Sequence, residues 1–445
     1  MPGTNVLMTF FCSLFLAGVT MTVYAQSGFV ANLDETQVPE YTLPDPLIGA
    51  DGTPVTDAET WYKTRRGEIF ALFEREMYGK TPEAAKARKG KLRYVQQSEK
   101  TDALDGKATR REVRLLFSNQ EDGPYLDLLV YVPNTTTGPV PAFLGLNFQG
   151  NHTITDEPDI RMPKWVPTQD NRDNAPLRPR GSLKSRWPIE MIIDRGYALA
   201  VGYYCDIDPD YDDGFQNGVH PLLYREGQTQ RDADEWGNIG AWSWGLSRAL
   251  DYLETCETVD AKRIAVFGHS RLGKTALWTG AQDERFAMVI SNNSGSGGAA
   301  ISRRAFGETI GLTMSVRPHW FRVNFNKYNK NEAALPMDQH ELVALIAPRP
   351  VYIASAEKDA MADPKGELLA GLNADAVYRL LGTDGIGDAA RNLIVTEKDG
   401  MVYDVTMPPL DEPVGATIRY HIRTGEHDVT EYDWRQYLDF ADEKL

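Results

Sequence analysis

The chain has 445 residues, 42% of them apolar, enough to bury a sizeable core. Its 63 acidic side chains against 47 basic ones leave a formal net charge of -16, which argues against nucleic acid and anionic membrane surfaces as partners. Of three cysteines, Cys12 lies in an apolar leader; Cys205 and Cys256 make no disulfide framework and read as small buried apolar residues.

In chain order, LMTFFCSLFLAGV is an apolar h-region, and Val23-Tyr24-Ala25 before Gln26 has the small-residue pattern of a cleavage site, although the n-region carries no Lys or Arg. A signal peptide over residues 1–25 and a periplasmic or secreted protein are expected. No other stretch is long and apolar enough to cross a membrane, so no membrane partner is expected. After a Pro-rich lead, Asp57 to Tyr78 has helical periodicity through Trp61, Ile69, Phe70, Leu72, Phe73 and Met77. REVRLLF, YLDLLVYV and VPAFLGLNF then read as strands, and YALAVGYY follows a helix around Pro188 to Asp194. From there strands and helices alternate: a helix from about Ile239 to Thr255, the strand and helix around Ser270, FAMVISN, PVYIAS, a helix from about Asp375 to Leu381, TIRYHIR, and a closing helix near Tyr432 to Glu443. Such alternation means a mostly parallel sheet covered on both faces. The expected fold is one α/β domain over residues 26–445, a three-layer αβα sandwich, which the nucleophile elbow at Ser270 makes an α/β-hydrolase. Asn151 to Trp187 and Asp384 to Ala416 resist the pattern and read as long irregular connections of the kind that form lids or site walls.

The segment RIAVFGHSRLGKTALWTG carries the chemistry. A β-branched run ends at Gly268, Ser270 follows His269, and a helix begins at once, the strand, sharp turn and helix of a nucleophile elbow. The spacing is Gly-x-Ser-x-x-Gly, one residue longer than the usual form. Ser270 is the expected nucleophile; the bland alternative is a helix N-cap. In this architecture the order is serine, acid, histidine. His427, in RTGEHDVTEYDW between the last strand and the last helix, is the expected base, while His340 reads as structural and His269 as packed under the elbow. For the acid, AEKDAMADPKGE offers Glu357, Asp359 and Asp363. Asp363 before Pro364 reads as an N-cap; Asp359 is favoured, with Glu357 retained as the alternative. Asp428 is expected to point away. Arg271 supplies a backbone donor and a guanidinium beside the nucleophile, and Lys274 lies one helical turn further on; two cations here suggest a polar or anionic substrate.

These residues resemble carbohydrate esterase family fifteen, the glucuronoyl esterases, in its bacterial branch. The resemblance spans nearly all the chain after the leader and includes GHSRLGK, NNSGSGGAAISRR, FGET, PHWF, LPMDQHELVALIAPRPVYIAS and ADPKGE. It implies Ser270 as nucleophile, His427 as base, Arg271 as oxyanion stabiliser, and Lys274 with Glu308 as ligands of sugar hydroxyls. Fungal members place the triad acid at the position of Asn293, which cannot be anionic; this points again to Asp359. Many members carry Trp where this chain has Met361, which packs against a uronate ring without a flat face. The expected reaction is hydrolysis of (4-O-methyl-)glucuronate esters, as in lignin–xylan cross-links, through an acyl-serine. A broader carboxylesterase on small or aryl esters and a non-catalytic carbohydrate-binding relative are the alternatives. No metal or organic cofactor is expected, since no His/Cys cluster has ligand spacing, and the protein is expected to be a monomer.

Overall fold

The structure, a computed structural model, describes residues 30–118, 120–163 and 176–445. The expected signal peptide and part of the irregular stretch Asn151 to Trp187 lie outside the described residues. Twelve strands are described: β1 (Arg93–Ala103), β2 (Ala108–Leu116), β3 (Tyr125–Pro133), β4 (Val140–Asn147), β5 (Ala198–Tyr203), β6 (Val259–His269), β7 (Met288–Asn292), β8 (Val351–Ala356), β9 (Ile394–Lys398), β10 (Met401–Val405), β11 (Val414–Gly415) and β12 (Ile418–Arg423). Ten form one sheet in the order β1-β2-β3-β5-β4-β6-β7-β8-β12-β11. From β5 to β12 every neighbouring pair is parallel, and the antiparallel pairs lie at the two sides. This is the expected α/β-hydrolase architecture.

The strand pleat sorts the two faces. Ile264 and Val266 of β6 join the larger core with Trp61, Trp242, Leu277 and Leu368, under the helices Asn238–Leu253, Arg271–Gln282 and Pro364–Leu380. Their neighbours Ala265 and Phe267 join a second core with Ile192, Trp434, Tyr437 and Phe440, under the helices Ile189–Asp194 and Glu431–Lys444. Side chains alternate along a strand, so burial on both faces demands the continuous apolar run that β6 shows.

Two expectations are corrected, and one strand was not foreseen. The helix expected from Asp375 begins at Pro364, because Asp363 caps it by accepting from the Gly366 amide at 3.0 Å. Residues 384–416 are not wholly irregular: they hold the helix Gly387–Arg391, the β9–β10 hairpin and β11. Strand β1 went unread because RYVQQSEKTDA is polar and largely exposed, and its ladder with β2 rather than an apolar stripe defines it.

What matters for the site is the register. Strands β6, β7, β8 and β12 are consecutive in the sheet, with His269 opposite Asn292 and Ala356 opposite Arg423. Their carboxyl ends therefore bring four loops to one edge, where open α/β sheets place their ligands.

Candidate active site

Ser270 is the first residue after β6 and caps the helix Arg271–Gln282 with φ +58 and ψ -128, a backbone state that non-glycine residues seldom adopt. The strain is held by hydrogen bonds on both sides: the Ser270 amide donates to the Asn292 carbonyl at 2.8 Å, and the Gly273 amide donates to the Ser270 carbonyl at 2.8 Å. A Cβ on Gly268 would lie 1.8 Å from the Leu272 carbonyl oxygen, so only glycine fits there. At Gly273 the nearest contacts would be 3.1 Å, tight rather than prohibitive.

His427 and Asp359, from the loops after β12 and β8, meet at 2.5 Å between Nδ1 and Oδ2. A carboxylate only accepts, so the proton sits on Nδ1 and Nε2 keeps a lone pair. His427 is 42% exposed in its side chain and Asp359 only 7%. Burial pushes the Asp359 carboxyl up, but the positive charge that His427 carries when protonated, its hydrogen bond and the hydrogen bond from Asn293 outweigh it and hold it below the ordinary range. The His427 ring packs on the ring of His269, centroids 4.6 Å apart, which sets it beside the elbow. His269 is buried, as expected, and its Nδ1 lies 2.6 Å from Asn292 Oδ1; burial above all holds its pKa well below the ordinary range.

Other carboxylates fall outside this pair. Glu357 is exposed and accepts from the Gly425 amide at 3.4 Å. Asp363 is both N-cap and partner of Arg304, at 2.8 Å. Asp428 is half-buried rather than free, paired with Arg186 at 2.5 Å. His340 is structural: its ring meets the Pro44 carbonyl at 2.8 Å.

Asn293, the residue after β7, has a role its sequence position did not reveal. Its Nδ2 donates to Asp359 Oδ2 at 2.8 Å, and its own amide donates to Ala354 at 2.7 Å. Asn293 is thus a donor that orients an acid arriving from the next strand.

On the opposite flank Arg271 is paired with Asp210 and lies over Trp320, 4.8 Å from the ring centroid. Asp210, 3% exposed, also accepts from Tyr204 Oη at 2.9 Å and Trp320 Nε1 at 2.6 Å, and meets His319 Nε2 at 2.9 Å. Burial works against both charges, yet each stabilises the other, so Asp210 is held well below and Arg271 above their ordinary ranges. Sequence reading missed Asp210. The only signal was that a buried guanidinium needs a carboxylate, and IDPDYDDG offers several. Lys274, 2% exposed, donates to the Ser294 carbonyl at 2.7 Å, the Ser296 carbonyl at 2.5 Å and Glu308 Oε2 at 2.9 Å. Three donors meet three acceptors, so it is engaged before any ligand arrives. Met361 is half-buried, and its carbonyl accepts the Glu308 amide at 2.8 Å, which places it beside Glu308 and Lys274. Among the described residues no group of His, Cys, Asp and Glu has the arrangement of a metal site, and no helix is long and apolar enough to cross a membrane.

A strained serine at a strand-to-helix turn, with a histidine–carboxylate pair on neighbouring strand ends of a mostly parallel sheet, marks the chain as an α/β-hydrolase. Residues 223–382 match the family model described as glucuronyl esterase, fungi. A carbohydrate esterase from an unknown prokaryotic organism is 47% identical over 448 residues, 98% of this chain and 98% of that one. Among solved structures, a glucuronoyl esterase from Solibacter usitatus has a TM-score of 0.84 at 48% identity, covering 92% of this chain and 100% of that chain. A promiscuous esterase of carbohydrate esterase family fifteen from a marine bacterial metagenome has a TM-score of 0.81 at 47% identity, covering 94% and 100%. The chain therefore belongs to carbohydrate esterase family fifteen, the glucuronoyl esterases, beside its bacterial members. It is a carboxylic ester hydrolase.

Proposed function

We propose that this protein hydrolyses esters of glucuronic acid or its 4-O-methyl ether, of the kind that link xylan to lignin alcohols, through an acyl-serine. The observation that carries the reading is the His427–Asp359 pair at 2.5 Å beside a strained Ser270. Ser270 Oγ attacks the ester carbonyl while its proton passes to His427 Nε2; Asp359 fixes the tautomer and stabilises the imidazolium. The oxyanion is met by the Arg271 backbone N–H and guanidinium. The C–O bond to the alcohol breaks, and the alcohol leaves with the proton from His427. Water then attacks the acyl carbon with His427 as base, the Ser270 ester bond breaks, and the serine recovers its proton. Glu308 holds sugar hydroxyls together with Lys274, which exchanges one of its three protein acceptors for a substrate oxygen, with Met361 against the ring. The leader over residues 1–25 delivers a single-domain monomer to the periplasm or the medium, where such esters occur.

A broader carboxylesterase is the second reading. It is favoured by Met361 in place of an aromatic platform, and a relative carries the description promiscuous. Initial rates on benzyl glucuronate, methyl glucuronate and p-nitrophenyl acetate, measured side by side, separate the two. The first reading expects kcat/KM on the glucuronates to exceed that on the acetate analogue; equal or reversed values favour the second.

A further inference from the structure

Two cations beside a nucleophile suggest a site for an anion, yet each of these two is matched, as are two further arginines among the described residues. Arg271 is held by Asp210, and Lys274 meets Glu308 at 2.9 Å. On the base side Arg186 pairs with Asp428 at 2.5 Å and Arg423 with Asp433 at 2.9 Å. Asp359 adds a negative charge and the half-buried Arg317, acting on Asp210, a positive one. With His427 neutral, these groups give the resting site no excess of positive charge.

The reaction changes that balance only while it runs. In each tetrahedral state His427 holds the transferred proton, and its new positive charge accompanies the new oxyanion. When the acid product forms, the imidazole is neutral again and the uronic acid loses its proton to solvent, becoming a carboxylate. The substrate ester has no charge to desolvate; the product does, and burying an anion without a net counter-charge is costly.

Resting on the reading of this site as a uronate esterase, we infer that Asp210 and Glu308 determine specificity by cancelling the charge of Arg271 and Lys274, so that the site accepts the neutral ester and releases the uronate anion. Asp210 touches neither substrate nor reacting atoms in this scheme and acts through Arg271.

The test compares glucuronate with glucuronamide, the same ring with a neutral amide, as competitive inhibitors of benzyl glucuronate hydrolysis. In the wild-type protein glucuronate should bind no more tightly than the amide. Asp210→Asn keeps the shape and removes the charge; it should shift the ratio towards glucuronate on the order of tenfold at low salt, the gain shrinking as salt rises. Glu308→Gln should shift it in the same direction, which keeps the test open if Asp210→Asn does not fold. A merely structural role for Asp210 would weaken both inhibitors alike. A wild-type protein that already prefers glucuronate tenfold, or folded variants with an unchanged ratio, would overturn the inference. Failure of the wild-type protein to hydrolyse benzyl glucuronate would instead remove the uronate reading, and this inference with it.

Discussion

The two flanks of Ser270 are built on opposite plans. On one, His427 is 42% exposed and rests on the single buried carboxylate of Asp359. On the other, Arg271 is mostly buried and held by Asp210, which also meets Tyr204, His319 and Trp320. A group that must take up and release a proton needs access and a movable charge. A group that must present a constant charge to an oxyanion needs the reverse, a fixed orientation that costs nothing to reorganise during the reaction. The contrast separates proton traffic from fixed electrostatics, and the variants below probe each flank.

Removing the proposed nucleophile, which both flanks serve, has the largest expected effect. Ser270→Ala should lower kcat by roughly four to six powers of ten with the fold intact, as nucleophile removal does in triad hydrolases. Retention of a few per cent of the activity in a clean preparation would show that another group attacks the ester.

On the proton flank, Asp359→Asn should cost roughly 10³- to 10⁴-fold in kcat, because the neutral amide no longer selects the tautomer or stabilises the imidazolium. Glu357→Gln should stay within a few-fold, since that side chain is exposed and meets only a loop amide. A larger loss at Glu357 would transfer the acid to it. The same substitution has a signature in stability. The Asp359 carboxyl is held below its ordinary 3.8 in the folded protein, so its pairing contributes stability above the unfolded value, and that contribution is lost as pH falls through the lowered one. The stability gap between wild type and Asp359→Asn, from denaturant unfolding, should therefore be widest near neutral pH and close below pH of about 4. A gap that widens in acid would contradict the pairing.

On the fixed flank, Lys274→Met or Glu308→Gln should reduce kcat/KM on glucuronate esters on the order of tenfold to a hundredfold, since a hydrogen bond to a charged group contributes about 1.5–3 kcal/mol. p-Nitrophenyl acetate has no sugar hydroxyls and should be barely affected. Equal losses on both esters for Lys274→Met would mean that the lysine chiefly braces the Ser294 and Ser296 carbonyls. A smaller effect is expected at Asn293, whose amide donates to Asp359 at 2.8 Å: Asn293→Ala should lower kcat by roughly fivefold to tenfold, the worth of about one hydrogen bond. Smallest of all, Met361→Trp should shift preference a few-fold towards glucuronate esters if a stacking face is what the pocket lacks. No shift would place the sugar ring elsewhere.

From the sequence alone came the elements that short-range physics dictates. Continuous apolar runs identified β3 to β8, and the elbow was legible because its glycine, serine and helix-forming residues are contiguous. His427 was found through chain order, as a loop histidine between the last strand and the last helix. The polar edge strand β1 and the structure within residues 384–416 were not legible, since pairing with neighbours rather than their own pattern defines them. Only the tertiary structure brought Asp359 rather than Glu357 to His427, turned Asn293 into a donor to that acid, and selected Asp210 from an acidic run to face Arg271. The reason is geometric. These contacts join residues about 60 or more positions apart in sequence, and sheet register rather than any local pattern decides which side chain of a loop arrives within hydrogen-bonding distance.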